Sequence, residues 1–465
     1  MSFTAKSVDR FSTVFDKSEY QSLDPIVKIQ HIAKGNNLVF GRSIKNDDYS
    51  NLIYIGKVLE NTVGKNYLSA DAWLDTTFPH VIYITGTRGS GKSFDLGVLL
   101  EGISTLAEPS AIQNDTQPIT SILIDTQSQF WTLKYPPNSE VKENKAQLDE
   151  LQKWNIRQNA VKNCKLYLPP GSESITGDEN IFTIKASEVK HEEWCALIRE
   201  DTYSPQGHVL AGALEALAGS AYSIEEMIAY ISAPQNWPNV AESSRNAVIY
   251  KIDDYRRTGL FSKDGLDIRT LLVRGQCNIF LLRDLRNEDK ALITGLIARQ
   301  LFTVMGEYHK RLKVSRFFNK GEPEEKLPNK VWLLIDEAHV VAPSDSPSPA
   351  RQALVEYVKR GRDAGLSLVM ATQQPSAIDD RILSQVNLTF SHRLSFQSDI
   401  QAAVNRIPTK LLGSLRFSGI DIKEFGEMLR FLDSGQCFLG DHNTSRTVLI
   451  KVRPRVTSHG GYSPI

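Results

Sequence analysis

Short apolar runs that end in glycine or an acidic residue are the clearest pattern along the chain. The first run, His80 to Thr85, ends at a glycine, and the stretch Lys92 to Ile103 that soon follows has the composition and length of a helix. Further apolar runs cover 119–124, 278–282, 331–335 and 366–372. Strands separated by helix-length stretches predict an α/β fold with a mostly parallel sheet, whose carboxyl ends mark the binding edge.

The interval between the second and third predicted strands is too long for a simple crossover. It covers about 150 residues, and its later part, about 186–265, is helical in character with repeated Ala and Leu. We therefore predict a helical insertion there. The expected division is an N-terminal region 1–75, an α/β core 76–445 and a C-terminal tail 446–465.

Composition and termini indicate an ordinary soluble protein. The apolar fraction is 41%, the charged fraction is 23%, and no run of about 18 apolar residues could span a bilayer. The N-terminal sequence MSFTAKSVDRF lacks the apolar stretch of a secretory signal, which predicts a cytoplasmic protein without membrane contact. The four cysteines form no C-x-x-C pair, so we expect reduced thiols rather than a zinc site.

The charge balance limits how this chain could meet nucleic acid. Lys plus Arg equals Asp plus Glu at 54 each, so any DNA contact must come from a local basic patch. One candidate is Arg299–Lys320, where Phe317 and Phe318 interleave with the basic residues; the other is the basic end of the chain after Asp441. A solvated helix face or tail explains either stretch equally well.

The sequence GTRGSGKS at Gly86–Ser93 matches the phosphate-loop pattern G-x-x-x-x-G-K-S/T between a predicted strand and a predicted helix. Glycines let backbone N–H groups point at phosphates, Lys92 reaches the β- and γ-phosphates of ATP, and the Ser93 hydroxyl ligates Mg²⁺. A glycine-rich turn is the alternative. The predicted ATP-binding residues are Gly86, Thr87, Arg88, Gly89, Ser90, Gly91, Lys92, Ser93 and Phe94.

An acidic pair, Asp336 and Glu337, follows the apolar run Val331–Ile335. In a phosphate-loop enzyme, Asp336 would hold Mg²⁺ and Glu337 would orient and polarise the attacking water. Seen alone, such a pair can be only a solvated strand end.

Three further residues are weaker candidates for the hydrolytic site. Gln373 follows the fifth apolar run, where its amide could sense the γ-phosphate or simply satisfy a turn before Pro375. Arg362 closes a predicted helix and Arg393 follows another apolar stretch. Either arginine could stabilise transition-state charge on the nucleotide of a neighbouring subunit, or could be a purely structural or surface residue.

Taken together, these motifs resemble the HerA branch of the HerA and FtsK superfamily of ring-forming, DNA-pumping ATPases. The resemblance covers most of the chain, from about Ile55 to Gly461, and adds three segments to the phosphate loop. These are LIDEAH at 334–339, ATQQPS at 371–376 followed by LSQVN at 383–387, and RPRVTSHGG at 453–461.

The resemblance implies a RecA-like core with an inserted helical bundle, a homo-hexameric ring, and movement along double-stranded DNA beside a nuclease or other effector protein. It supports Gln373 as a sensor and Arg362 as an inter-subunit arginine. Only 85 residues precede Gly86, so the family's N-terminal β-barrel would be reduced. Gln129 stands where relatives tend to have a carboxylate, and Arg88 stands where small residues are commoner.

Three functional hypotheses follow. The first is an ATP-hydrolysing, hexameric double-stranded DNA translocase in end processing, repair or anti-phage defence. The second is an ATP-gated ring that assembles or regulates an effector without long-range translocation. The third, a phosphate-loop enzyme acting on a small metabolite, is disfavoured because no acceptor pocket is legible in the sequence.

Overall fold

The structure is a computed structural model that describes residues 32–34, 36–42, 49–62, 65–142, 144–321, 323–408, 415–417, 420–422 and 425–460. The expectations for residues 1–31 and for the last five residues lie outside this part of the chain.

The strands of the described residues are β1 (Ile32–Lys34), β2 (Asn37–Phe40), β3 (Leu52–Thr62), β4 (Lys65–Asp75), β5 (Val81–Thr85), β6 (Gln113–Asn114), β7 (Thr120–Asp125), β8 (Cys164–Leu168), β9 (Asn180–Ile181), β10 (Ile184–Lys185), β11 (Phe261–Ser262), β12 (Cys277–Leu281), β13 (Val331–Ile335), β14 (Leu366–Thr372), β15 (Leu388–Ser391), β16 (Leu415–Phe417), β17 (Ile420–Ile422), β18 (Gln436–Asp441) and β19 (Arg446–Val452).

The α-helices are α1 (Lys92–Ile103), α2 (Asn144–Lys153), α3 (His191–Leu197), α4 (Pro205–Ala216), α5 (Ile224–Ser232), α6 (Glu242–Thr258), α7 (Asn287–Phe317), α8 (Ala338–Val341), α9 (Arg351–Arg360), α10 (Asp380–Leu383), α11 (Gln397–Val404) and α12 (Phe425–Met428). None of these described helices combines the length and the apolar character that a membrane crossing requires.

One large mixed sheet organises the described chain, in the order β1-β2-β4-β3-β19-β18-β15-β5-β14-β13-β7-β12-β8-β9, with β6 beside β3. From β15 to β9 the neighbouring strands are all parallel, whereas β15, β18, β19, β3 and β4 pair antiparallel. The α/β fold with a mostly parallel sheet is therefore confirmed. Strand β14 lies between β5 and β13. The phosphate loop after β5 and the acidic pair after β13 are therefore at the same edge of the sheet, separated by a single strand.

The central strands are buried on both faces, which explains why they read as continuous apolar runs. Their side chains alternate between two cores: Tyr83 and Ile122 belong to one, Ile82 and Leu123 to the other. Helix α1 covers the second core, while α7, α9 and the helices α3–α6 cover the first.

The predicted helical insertion corresponds to α3–α6, which span His191 to Thr258. Ser204 and Ser223 cap α4 and α5 with their side chains, and α6 ends at Gly259 in the left-handed conformation (φ 66°). A 3₁₀ turn at Pro234–Asn236 interrupts the group between α5 and α6. These helices pack on the sheet through the same core that buries α7.

The C-terminal region corrects the expected tail from Arg446 onward. Residues 446–452 form β19, which pairs with both β18 and β3 inside the main sheet. The following residues pack on α1, and Arg453 and Arg455 are 0% and 1% exposed because both form ion pairs with the buried Glu101. These two arginines therefore cannot belong to a DNA-contacting patch on the surface.

The N-terminal β region continues the same sheet. Strands β3 and β4 form a long antiparallel pair, and β3 joins β19.

Candidate functional site

The phosphate loop Gly86–Ser93 connects β5 to α1 at the carboxyl edge of the sheet. Gly89 and Gly91 have φ values of 73° and 130°, in the region that side chains disfavour, so the loop needs glycine at both positions. The carbonyl oxygen of Thr87 accepts a hydrogen bond from Lys92 Nζ at 3.0 Å. This compact loop leads directly into the first turn of a twelve-residue helix, whose free N–H groups suit an anion.

The acidic pair lies at the end of β13 and is buried, with Asp336 1% and Glu337 6% exposed. Neither carboxylate oxygen of Asp336 has a hydrogen-bond partner among the described residues. Burial, followed by the charges of Glu337 and Asp125, raises the pKa of Asp336 well above its usual value. A buried carboxylate with two free oxygens fits a Mg²⁺ ion, held directly or through water, beside the Ser93 hydroxyl.

Lys92 lies close enough to the same acids for their charges to act on it. Burial lowers the pKa of its ammonium group, although the charges of Glu337 and Asp336 oppose this effect. The site therefore contains one buried cation and several buried carboxylates. A bound Mg²⁺ ion would add positive charge beside the carboxylates, and a phosphate chain would add negative charge beside Lys92.

Glu337 has an unusual backbone, with φ 51° in the left-handed region. Its Oε1 accepts a hydrogen bond from Gln373 Nε2, and its Oε2 lies 3.4 Å from Nδ1 of His339. The same histidine nitrogen is 3.1 Å from the Thr372 hydroxyl. Strained residues of this kind persist where the surroundings hold them, which is common at functional sites.

Asp125 adds a third buried carboxyl group from β7, the strand on the other side of β13. Its oxygens accept backbone N–H bonds from Gln127 and Phe130 at 3.1 and 2.8 Å, and burial raises its pKa to about 6. Gln129, where the resemblance predicts a carboxylate, is only partly buried in the turn that follows.

The two candidate arginines occupy different edges of the sheet. Arg393 follows β15, and its carbonyl oxygen accepts a 2.8 Å hydrogen bond from the N–H of Thr87, so its exposed side chain starts beside the phosphate loop. Arg362 precedes β14, at the amino edge. The seven residues of β14 separate it from the loop's edge by about 20 Å, so within one chain Arg362 does not reach the loop. Arg88 is exposed at the tip of the loop itself.

A buried histidine that the sequence analysis missed braces the phosphate loop from behind. His392 Nε2 lies 2.7 Å from Oδ2 of Asp95, in the first turn of α1, and its Nδ1 lies 2.9 Å from the carbonyl oxygen of Gln436. A Cβ on Gly86 would come within 2.7 Å of the Cβ atom of His392, and a Cβ on Gly91 within 3.0 Å of its ring. The only available signal was that His392 directly follows a strand beside β5, because Asp95 lies 297 positions away.

Part of the chain matches a known protein family. The family described as "Helicase HerA, central domain" matches residues 53–301, just over half of the chain. The chain is 27% identical over 147 residues to the DNA double-strand break repair helicase HerA of Sulfurisphaera tokodaii, covering 31% of this chain and 28% of that protein. It is 22% identical over 197 residues to the probable helicase MJ1565 of Methanocaldococcus jannaschii, covering 37% and 36%. The matched part thus spans about a third of these relatives or less.

Among solved structures, VirB4 of Thermoanaerobacter pseudethanolicus is 16% identical, with a TM-score of 0.47 over 87% of this chain and 97% of that chain. The bacterial conjugative coupling protein TrwBdeltaN70 is 11% identical, with a TM-score of 0.46 over 91% and 99%. On the family match over half its length, the chain belongs to the family of the helicase HerA central domain.

Proposed function

We propose that this chain hydrolyses ATP at the site between β5, β14 and β13. The observation that carries the proposal is the meeting of a phosphate loop with two buried carboxylates, Asp336 and Glu337, of which Asp336 has no hydrogen-bond partner for either oxygen among the described residues. Helix-terminal N–H groups and Lys92 bind the phosphates, and Ser93 and Asp336 hold Mg²⁺. When bound, Mg²⁺ neutralises charge on the phosphates.

Glu337 is the general base in this proposal. It accepts a proton from water as the water oxygen bonds to the γ-phosphorus and the bond to the ADP oxygen breaks. The hydrogen bond from Gln373 orients the Glu337 carboxylate, so a change in the position of Gln373 would move the base. This contact supports Gln373 as a sensor that couples the γ-phosphate to the hydrolytic group.

We further propose a homo-hexameric ring that moves along double-stranded DNA and works with a nuclease or other effector. The similarity to the DNA double-strand break repair helicase HerA of Sulfurisphaera tokodaii supports a DNA substrate. So does the exposed end of α7, which carries Lys310, Lys313 and Arg316 close in sequence to Phe317, 83% exposed, with Lys320 just beyond the helix. The separation of Arg362 from its own phosphate loop supports a role on the nucleotide of a neighbouring subunit.

The deciding experiment measures ATP hydrolysis with and without double-stranded DNA, together with the mass of the assembly in solution. We expect a six-subunit ring whose rate rises with DNA and falls with added salt, because salt screens phosphate contacts. If the protein forms a ring but its rate of ATP hydrolysis does not change with DNA, the scaffold hypothesis would be favoured. A monomer with a DNA-independent rate would refute the motor.

Mixed rings test Arg362 directly. Arg362→Ala and Lys92→Ala should each be inactive alone, whereas a mixture contains interfaces that pair an intact Lys92 with an intact Arg362. Single-turnover hydrolysis should partly return after subunit exchange is verified. Arg257→Ala, an exposed arginine on the helical insertion, is the matched control and should retain wild-type turnover. A mixture as inactive as its components would indicate a role within one subunit or a structural role.

A further inference from the structure

The last described residues, 453–460, run along α1 from its end towards the phosphate loop. Arg453 and Arg455 contact Glu101 in the last turns of the helix, and His459 contacts Phe94 in its first turn. The chain direction is therefore opposite to that of the helix, and the segment ends beside the residue that follows Ser93 in sequence.

Several hydrogen bonds from other elements hold this segment in place. Gln147 Nε2, on α2, donates to the carbonyl oxygens of Arg455 and Thr457 at 2.8 and 2.7 Å. The N–H of Ser458 donates to the carbonyl oxygen of Tyr135 at 2.8 Å. These hydrogen bonds hold the residues directly before His459, and so fix where its side chain starts.

The imidazole of His459 has a defined hydrogen-bonding character. Its Nδ1 lies 3.3 Å from Nη1 of Arg455, and a guanidinium can only donate, so Nδ1 is the acceptor. Burial, followed by the charge of Arg455, lowers the pKa of His459 to about 4, so the ring is neutral near pH 7. The single ring proton must then reside on Nε2. None of the described residues accepts a hydrogen bond from that N–H.

The rings of His459 and Phe94 meet edge to face, with centroids 5.6 Å apart and an interplanar angle of 72°. Both side chains are only partly buried. In the proposed function the phosphates bind at the start of α1, so the base of the nucleotide would lie within reach of the side chains around that end of the helix. Phe94 is the first side chain after Ser93. The pair therefore offers an apolar edge and one free N–H donor next to the phosphate site.

We propose that His459 and Phe94 form the subsite for the purine base of the nucleotide, with His459 Nε2–H donating to a ring nitrogen of adenine. The inference rests on the proposed function and extends it from phosphate binding to base recognition. Phe94 supplies apolar contact to the base, and the Glu101 ion pairs keep His459 in register with the loop. An adenine ring nitrogen is an acceptor, which matches the Nε2–H donor of His459.

The test compares the binding of ADP with that of pyrophosphate, which has the same two phosphates but no base. In His459→Ala we expect ADP affinity to fall about tenfold, as for one lost hydrogen bond and ring contact, with pyrophosphate affinity unchanged. His459→Gln keeps an N–H donor and an oxygen that can accept from Arg455, so most of the ADP affinity should return. His309→Ala replaces another half-buried histidine, at the amino edge of the sheet, and should leave both affinities at wild-type values.

Calorimetric binding needs no turnover, so this test is separable from that of the proposed function. If wild-type protein binds ADP more tightly than pyrophosphate but never hydrolyses ATP, the proposed hydrolysis fails and the base subsite stands. An unchanged ADP affinity in His459→Ala would overturn the inference. An equal loss for ADP and pyrophosphate would also overturn it, since that result indicates only a displaced phosphate loop.

Discussion

Two buried clusters of charge lie at opposite ends of α1, and they are built in opposite ways. At its start, Lys92 faces Asp336 and Glu337, and both oxygens of Asp336 lack a hydrogen-bond partner among the described residues. Near its end, Glu101 accepts five hydrogen bonds from Arg453, Val456 and other groups of the C-terminal segment. Burial is nearly complete in both clusters, so exposure does not distinguish them.

The difference lies in whether the charges are satisfied within the chain. Burial by itself raises the pKa of Glu101, but the charges of Arg453 and Arg455 more than offset it, and the net pKa lies below the usual value. For Asp336 the neighbouring carboxylates act in the same direction as burial, and the pKa is raised. A buried charge that the fold satisfies stabilises the fold, whereas one left unsatisfied costs stability and is available to a ligand.

The largest effect that the comparison predicts is on turnover. Glu337→Gln should retain ATP binding but lower single-turnover hydrolysis about 100-fold or more, because the amide cannot accept the proton of the attacking water. Calorimetry and quench kinetics measure the two quantities separately. Lys92→Ala should instead weaken binding, and Glu356→Gln, a matched change on α9, should have no effect on either. Normal hydrolysis by the Glu337 variant would remove this residue from the site.

The second prediction concerns the satisfied cluster. Glu101→Gln should lower the free energy of unfolding by roughly 3 kcal/mol or more, because it leaves two buried arginines without their counter-charge. Urea unfolding monitored by circular dichroism measures this change.

The pH dependence sharpens the same prediction. Because the pKa of Glu101 is lower when folded, its contribution is present above the unfolded pKa of about 4.5 and is lost as pH falls through the folded value. The difference in the free energy of unfolding between wild type and Glu101→Gln should therefore become smaller as the pH falls. The exposed Glu215→Gln serves as the control and should show no gap. A constant gap from pH 7 to pH 3 would contradict the assignment of the stability to the ionised carboxylate.

The third prediction reverses the sign of the stability change. Without nucleotide and metal, Asp336→Asn should raise the free energy of unfolding by about 1 kcal/mol, since it removes a buried charge beside Glu337 and Asp125. Urea unfolding measures the gain, and the same protein should hydrolyse ATP poorly. If Asp336→Asn lowers the free energy of unfolding instead, the Asp336 carboxylate must have hydrogen-bond partners such as ordered water.

The sequence predicted the elements whose signals are local. The bounds of α1 and β13 coincide with the predicted ones, because an apolar run there is closed by glycine or acid within a few residues. The neighbouring strands β7 and β12 differ from the expected runs by one residue. The candidate site is local in the same sense, since each of its motifs lies at the end of such a strand.

The C-terminal region could not be predicted in this way. Arg453 and Arg455 belong to a stretch after Asp441 that has basic but no acidic residues, a pattern that is also typical of a solvated tail. Their partner Glu101 lies 352 positions from Arg453. His392 and Asp95 are separated by nearly as much of the chain. A buried ion pair between distant residues has no periodicity, so its existence depends on sheet order, which the sequence does not state.

The smallest predicted effect tests how closely the satisfied cluster is packed. Gly97 lies in α1 where a Cβ would come within 2.5 Å of Nε of Arg455, whereas a Cβ on Gly306, inside α7, would meet nothing within 4 Å. Gly97→Ala should therefore lower the free energy of unfolding by about 1–3 kcal/mol, because the buried guanidinium has no room to move. Gly306→Ala should raise it by up to about 1 kcal/mol, since alanine is the better helix former. Urea unfolding of both variants measures the sign of each change in the free energy of unfolding.

In a Glu101→Gln background, Gly97→Ala should lower the free energy of unfolding by less, because Arg455 is then less tightly held and the two sites couple. Equal changes in the free energy of unfolding for Gly97→Ala and Gly306→Ala would show that the C-terminal segment can shift away from α1, and that its ion pairs do not hold it there.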